Sequence, residues 1–258
     1  TFAANLYGGC DDLQFKGRST DRCGWARAMA NSTNQDATTD TLGYDADSWT
    51  MQMGGQVPLS ESSALTGSIA YENSSFHDGD DRIKGDSLIA GVGLLYTPSR
   101  LELSTGIDMA WGWYRSNRTI TVGGISERAN AKPTQWQIGG HARAAWNLLN
   151  GGDTLLRPFV EGHAIRVSNR AFTEDGSSPF RLAVEEQADT ALLGVAGMEF
   201  ATRMALSGRM ALRPFASAAV EFGNSRDWTT TARFAEQPQS ASFDLTTASD
   251  EELEVIER

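Results

Sequence analysis

From Ser48 to Val57 the odd positions Trp49, Met51, Met53 and Val57 are apolar, while Ser48, Thr50, Gln52 and Gln56 between them are polar. The odd set Leu101, Leu103, Ile107, Met109, Trp111 and Trp113 likewise opposes Glu102, Ser104, Gly106, Asp108, Ala110 and Gly112. Trp136, Ile138, Ala142, Ala144, Trp146 and Leu148 oppose Gln135, Gln137, His141, Arg143 and Asn147, and Met210, Leu212, Pro214, Val220 and Phe222 oppose Arg209, Arg213 and Glu221. Successive side chains of a strand point to opposite faces, so a period of two marks a strand with two unlike surroundings. The pattern predicts strands near 48–57, 100–115, 135–148 and 206–222, each with an apolar register free of charge, in the second as far as Trp113. Weaker alternation predicts further strands near 24–34, 63–72, 86–97, 155–168 and 181–201, the last with a bulge near Gln187. Pro158 and Pro214 fall inside strands, where a missing N–H favours a bulge or a rim.

The predicted connections alternate in length. Short ones fall near 58–63, 97–100, 150–153 and 202–205; long polar ones near 73–85, 116–133, 168–180 and 224–250. Strands of this kind build either a soluble sandwich or barrel with its apolar register inward, or a membrane barrel with that register toward lipid. The strands exceed the usual five or six residues of soluble sheets, which suits a tilted membrane crossing. Alternating short and long connections match periplasmic turns and extracellular loops. Trp136 and Trp146 share a face ten residues apart. At about 3.4 Å per residue and a tilt near ~40°, they stand roughly 26 Å apart along the membrane normal, close to the height of an apolar band. The expectation is an all-β, antiparallel, up-and-down transmembrane β-barrel, with Trp49, Trp111, Trp113, Trp136 and Trp146 in its aromatic girdles.

A charge facing lipid at mid-membrane costs roughly 2–4 kcal/mol. Glu102, Asp108, His141, Arg143, Arg157, Glu161, Arg209, Arg213 and Glu221 are therefore expected to face the lumen as a polar ladder.

Composition narrows the function classes. The chain has 258 residues, with 22 Lys+Arg against 33 Asp+Glu and a net charge of −11, which argues against nucleic acid as a partner. No apolar run approaches the roughly 18 residues of a membrane helix; the best is Leu88 to Tyr96. Residues 1–22 carry no signal sequence. Cys10 and Cys23 have the wrong spacing for a Cys-x-x-Cys pair and no nearby His to complete a metal set. A structural disulfide is the simplest reading; it points to an oxidising compartment and contributes on the order of 3 kcal/mol.

Catalytic chemistry is hard to find. There is no Walker loop, no Gly-x-Ser-x-Gly elbow and no His-Glu-x-x-His. His77 with Asp78, Asp80 and Asp81 fits no complete calcium loop and reads as a solvated acidic loop. Glu161, His163 and Arg157 read as lumenal polar residues rather than an acid–base set. No catalytic residue, metal or cofactor is expected.

The opening Phe2-Ala-Ala-Asn-Leu through Cys10, followed by Cys23-Gly-Trp-Ala-Arg, resembles the two-cysteine entry to the first strand in one branch of the autotransporter (type V secretion) translocator barrels. The stretch LRPFVEGHAIRVSNRAFTEDGSSPFRLAVEEQADTALLGVAG (Leu156–Gly197) resembles that family's proline-containing strand, loop and strand ending in Leu-Gly. SFDLTTASDEELEVIER (Ser242–Arg258) resembles the approach to its tenth strand. The resemblance implies a twelve-stranded barrel in the bacterial outer membrane, facing the cell surface, with a passenger-derived helix in its pore. It implies a translocator that anchors and exports an N-terminal passenger of the same polypeptide and does no bond chemistry itself. Partners would be outer-membrane lipid, that passenger, the barrel-assembly machinery and periplasmic chaperones. On this pattern residues 1–22 are an entry segment and 23–258 the barrel, with two strands and part of another expected beyond Arg258. The self-cleaving members' Asn-Asn junction is absent from the sequence. Two other classes stay open on the residues alone: a surface barrel enzyme (a protease or lipase) using His77, Asp78 and Asp80, and a soluble β-rich adhesin.

Overall fold

The computed structural model describes residues 21–35, 44–79, 81–151, 154–207, 210–212, 214–223, 228–237, 239, 241–247 and 254–257. Every regular element among them is a strand. Ten strands follow one another in a single antiparallel meander: β1 (Cys23–Gln35), β2 (Tyr44–Ser60), β3 (Ser63–Asp78), β4 (Asp81–Tyr96), β5 (Leu101–Val122), β6 (Thr134–Trp146), β7 (Thr154–Asn169), β8 (Gln187–Thr202), β9 (Phe215–Gly223) and β10 (Glu254–Glu257). The sheet is curled, and among the described residues no pairing joins β1 to β10.

The uncharged registers lie on the exposed side. Trp49, Ile107, Ile138 and Leu212 are all exposed, Ile107 at 60%, whereas Glu102 is 1% and Arg143 8% exposed. A soluble fold of the same strands would reverse these two sets. The exposed face carries Met51, Leu65, Leu88, Trp111, Val160, Met198 and Phe222 from seven different strands, an apolar area that only a membrane or partner could cover.

Several connections differ from the sequence expectation. The segment 73–85 is not a loop: β3 and β4 stay paired out to Asp78 and Asp81, with Gly79 at φ 56° in the tip. Likewise β5 runs to Val122, turns at Gly123 and Gly124, both with positive φ, and returns as Ile125–Ala131. Two positive-φ central residues make the twist-compatible hairpin turn that glycine permits without strain. Alternation disappears in these tips because both faces meet water, while backbone pairing persists for its own hydrogen bonds.

The predicted strand 206–222 is in fact a short hairpin, Met204–Ser207 against Met210–Leu212, followed by β9. Pro214 accepts the Thr202 N–H at its carbonyl. At Gln187 the chain does not bulge: Leu182–Val184 leaves for another sheet and β8 begins. Pro158 sits opposite Met198 without a register shift, and the ladder to β6 ends at Ala145–Phe159. Its missing N–H therefore breaks no bond to β6.

Inside the curl the Tyr114 ring lies over two glycines. A Cβ at Gly85 would stand 2.1 Å from Tyr114 Cδ1, and one at Gly112 2.5 Å from Cε2. Gly85→Ala should cost about 1–3 kcal/mol through overpacking, and most of that cost should vanish in a Tyr114→Ala background. Urea unfolding of the four variants in detergent micelles measures the coupling; strictly additive costs would show that the ring does not need the glycine.

Candidate functional site

The inward register of β5 carries Glu102, Ser104, Gly106 and Asp108, and antiparallel pairing sets Arg143 opposite Ser104 and His141 opposite Gly106. The next two pairings set Glu161 opposite Arg143 and Glu199 opposite Arg157. Register alone thus brings three carboxylates and two guanidiniums onto one patch of inner wall.

Their side chains bond across strands. Arg157 Nη1 lies 2.7 Å from Glu102 Oε2, and its Nη2 2.6 Å from Glu199 Oε2. Arg143 Nη2 lies 2.7 Å from Glu199 Oε1, with Glu161 at 3.7 Å and Glu102 at 3.8 Å. The Arg143 guanidinium also stands over the Phe159 ring at 4.4 Å. Since each arginine contacts two or more acids, the belt ties β5, β6, β7 and β8 together beyond their backbone ladders. Below it, toward the short turns, Leu95, Ala145, Leu155 and Ala201 are buried and apolar. Above it His163 Nε2 meets Glu161 Oε1 at 2.9 Å, and the His141 and His163 rings stack at 6.1 Å.

Asp108 is buried one step higher, its carboxylate lying over Gly139. Glu221 is half-buried on the inward register of β9, opposite Val195. Arg209 and Arg213, and Cys10 of the cysteine pair, lie outside the described residues; Cys23 opens β1 on the inward register opposite Gln56. Of residues 1–22 only Asp21 and Arg22 are described.

Trp49, Trp111, Trp113 and Trp146 are exposed and Trp136 is half-buried. Trp111 pairs directly with Trp136, while Trp146 pairs with Leu101 at the opposite end of β5. His77 Nε2 shares a 3.0 Å hydrogen bond with Ser75 in the β3–β4 tip, and Asp80 lies outside the described residues.

Glu199 was not in the sequence ladder, although it bonds both arginines. Its signal was present: it is the one charge between Asp189 and Arg203, flanked by Met198 and Phe200. Leu192, Leu193 and Val195 put apolar residues on both registers of that strand and blur the alternation. A second inward group was also missed. Arg27 donates to Gln52 at 2.9 and 2.6 Å and stands over Trp25 at 5.0 Å, and Gln52 donates to Ser68 at 3.1 Å. Trp25 shares the inward register of its strand with Arg27 and lies opposite Gly54, so the parity of the charged residue carries its placement.

At the end opposite the short turns, three connections fold on one another. Phe172–Thr173, Leu182–Val184, Trp228–Phe234 and Phe243–Thr247 form a four-stranded sheet, and Asp175–Gly176 pairs with Ile125–Ala131. Phe234 packs between Phe180 and Phe243. Buried Glu174 receives a two-pronged bond from Arg118 at 3.0 and 2.7 Å and accepts the Leu182 N–H at 2.8 Å. Glu174→Ala should open this cap locally and raise protease cleavage within 170–186 about tenfold while the long strands stay intact. Timed proteolysis of the micelle-bound protein measures the ratio; equal rates would mean the latch does not hold the cap.

A family model for the autotransporter beta-domain matches residues 24–254. The fold is similar to the translocator domain of the autotransporter NalP from Neisseria meningitidis, at 18% identity and TM-score 0.69, covering 90% of this chain and 80% of that one. It is also similar to the beta domain of the Bordetella autotransporter BrkA, at 20% identity and TM-score 0.51, covering 82% of this chain and 85% of that one. No curated protein matches the chain in sequence. A match over nearly the whole length, on a meander with its apolar register exposed and its ion pairs enclosed, is decisive: the chain belongs to the autotransporter beta-domain family.

Proposed function

We propose that the inner wall is a hydrated pore whose Arg143–Arg157 belt braces the channel and grips the polypeptide that passes through it. The domain is an outer-membrane translocator for a passenger, and such domains are not themselves enzymes. The polar ladder of Glu102, Asp108, His141, Arg143, Arg157, Glu161 and Glu221, with Glu199 added, lines that pore. Arg209 and Arg213 are assigned to the same lining from the sequence alternation alone. What carries the reading is the sorting of charge: apolar side chains are exposed on the outer register while the acids and arginines pair on the inner one.

On this reading Trp49, Trp111, Trp113 and Trp136 sit at one membrane interface and Trp146, with Tyr96, at the other, since aromatic rings favour the boundary between hydrocarbon and water. Residues 1–22 lead the passenger to the barrel, residues 23–258 are the barrel, and Cys10–Cys23 ties the entry. The assembly machinery and periplasmic chaperones are assigned as insertion partners because an unpaired sheet edge is untenable in lipid until the sheet is completed. A reporter passenger fused to the full-length parent, probed with protease on intact cells, tests the function. Digestion of the reporter is expected; a reporter protected in the periplasm would overturn it.

A further inference from the structure

The outward register of the long strands continues past the tryptophan rows. One step beyond Trp113 it carries Arg115, which pairs with Lys84 of β4. One step further, Arg82 pairs with His77 and with Asn117. Lys132 lies two residues before Thr134, the partner of Trp113, and the Arg170 N–H donates to the Thr134 carbonyl at 3.1 Å. On the hairpin that extends β5, Arg128 pairs with Thr119 of the same register. All six cations are exposed, and among the described residues none has its side chain in a hydrogen bond or an ion pair.

Their position is set by the strands. Two residues at about 3.4 Å each and a tilt near 40° place Arg115 roughly 5 Å above Trp113 along the membrane normal. With strands about 4.8 Å apart, β4 to β7 spread the charges over an arc of roughly 14 Å. Aromatic rings mark the level of the headgroups, so the arc stands at the anionic surface of the membrane, on the side away from the short turns. Charge is sorted around this rim. The chain carries a net −11, yet the outward register of β4 and β5 at this end holds one acid, Asp86, which accepts from the Tyr71 hydroxyl and from Asn73. On the rows beside Lys84 and Arg82, β1 and β2 present Ser32 bonded to Asp47 and Asn34 bonded to Asp45 instead. Like charges gathered on one arc repel one another unless anions from outside the chain offset them, and guanidinium forks match phosphate oxygens.

We propose that this arc binds a phosphorylated glycolipid of the outer leaflet. Its phosphate groups sit on Lys84, Arg115, Lys132 and Arg170, and its acyl chains lie below against the outward row Leu88, Trp111 and Trp136. The site is on the outer wall and is independent of what the pore carries.

The test uses the full-length parent purified from outer membranes in a mild non-ionic detergent. Lipopolysaccharide, its enzymatically dephosphorylated form and phosphatidylglycerol are added separately, and the bound fraction is read by intact-complex mass spectrometry. Lipopolysaccharide should bind at least about tenfold more tightly than either of the others. A cation near an anionic lipid surface contributes about a fivefold factor, so Arg115→Gln should weaken binding about fivefold. The combined Lys84→Gln, Arg115→Gln, Lys132→Gln and Arg170→Gln variant should weaken it by about thirtyfold or more, and the single variant keeps the test valid if the combined one misfolds. Arg100→Gln removes an exposed cation from the β4–β5 turn at the opposite rim and should stay within about twofold. Unchanged lipopolysaccharide binding by the glutamine variants would overturn the proposal. Equal binding of the dephosphorylated form would overturn it too, because phosphate would then not be what is recognised. Equal binding of phosphatidylglycerol would do the same, by showing a general anionic surface in place of a glycolipid site.

Discussion

Arg143→Ala is expected to destabilise the domain by about 3 kcal/mol, the low end for breaking an enclosed ion-pair network, because Glu199 keeps some contact with water. The reason is charge count. Arg143 and Arg157 stand among Glu102, Glu161 and Glu199, so removing one guanidinium leaves three carboxylates around a single cation. Glu102 is the most sensitive of them, at 1% exposed. Phe159 also loses the guanidinium that covers its face. Arg143→Met is the informative companion: it restores much of the bulk but not the charge, so a loss close to that of alanine assigns the effect to electrostatics. Adding Glu199→Gln to Arg143→Met should recover about 1 kcal/mol by removing one of the stranded acids. Equilibrium urea unfolding in micelles gives all three numbers. A belt that merely decorates a wet surface would show less than about 0.5 kcal/mol for each change, as exposed ion pairs do.

The strands around this belt were legible in the sequence to different degrees, for a physical reason. Alternation records two unlike solvents on the two faces of a strand, so β2, β5 and β6 are plain where one face meets hydrocarbon and the other a polar interior. Beyond the apolar band both faces of the hairpin tips meet water, and Ser74, Ser75 and His77 carry no period although they remain paired. The opposite error arose at 206–222. Met210, Leu212 and Pro214 keep the parity of Val220 and Phe222, so the pattern ran straight through a hairpin that only the glycine at 208 hinted at.

Contacts were less legible than strands. Glu102, Arg143, Arg157 and Glu161 could be placed on a common face from single-strand parity. Which acid meets which arginine depends on the stagger between strands, and that is fixed by turn lengths and backbone ladders rather than by any one segment. Glu199 and Arg27 belong to that second kind of information. The cap is the extreme case. Glu174 meets Arg118 across 56 positions, and no local pattern in 168–180 announces a buried acid.

Ile107→Arg should be the most damaging single change on the outer face. Ile107 is 60% exposed and lies between the Leu101–Trp146 row and the Trp111–Trp136 row of β5, which places it near the middle of the apolar band. If that band lies in hydrocarbon, an arginine there costs roughly 2–4 kcal/mol, and the cost should fall to about 0–1 kcal/mol for the same substitution near an interface. Leu101, at the short-turn end of the same strand and register, is the matched comparison. Position 110 supplies the third arm. Ala110 lies on the inward register between Asp108 and Gly112, so Ala110→Arg brings its charge beside Asp108 and Glu72 and should cost less than Ile107→Arg. Folding into lipid vesicles, followed by guanidinium unfolding, ranks the three. The expected order of cost is 107 above 101 and 110. The soluble-protein reading requires the reverse, since an arginine at a 60% exposed site in water is nearly free while one in an enclosed interior is not.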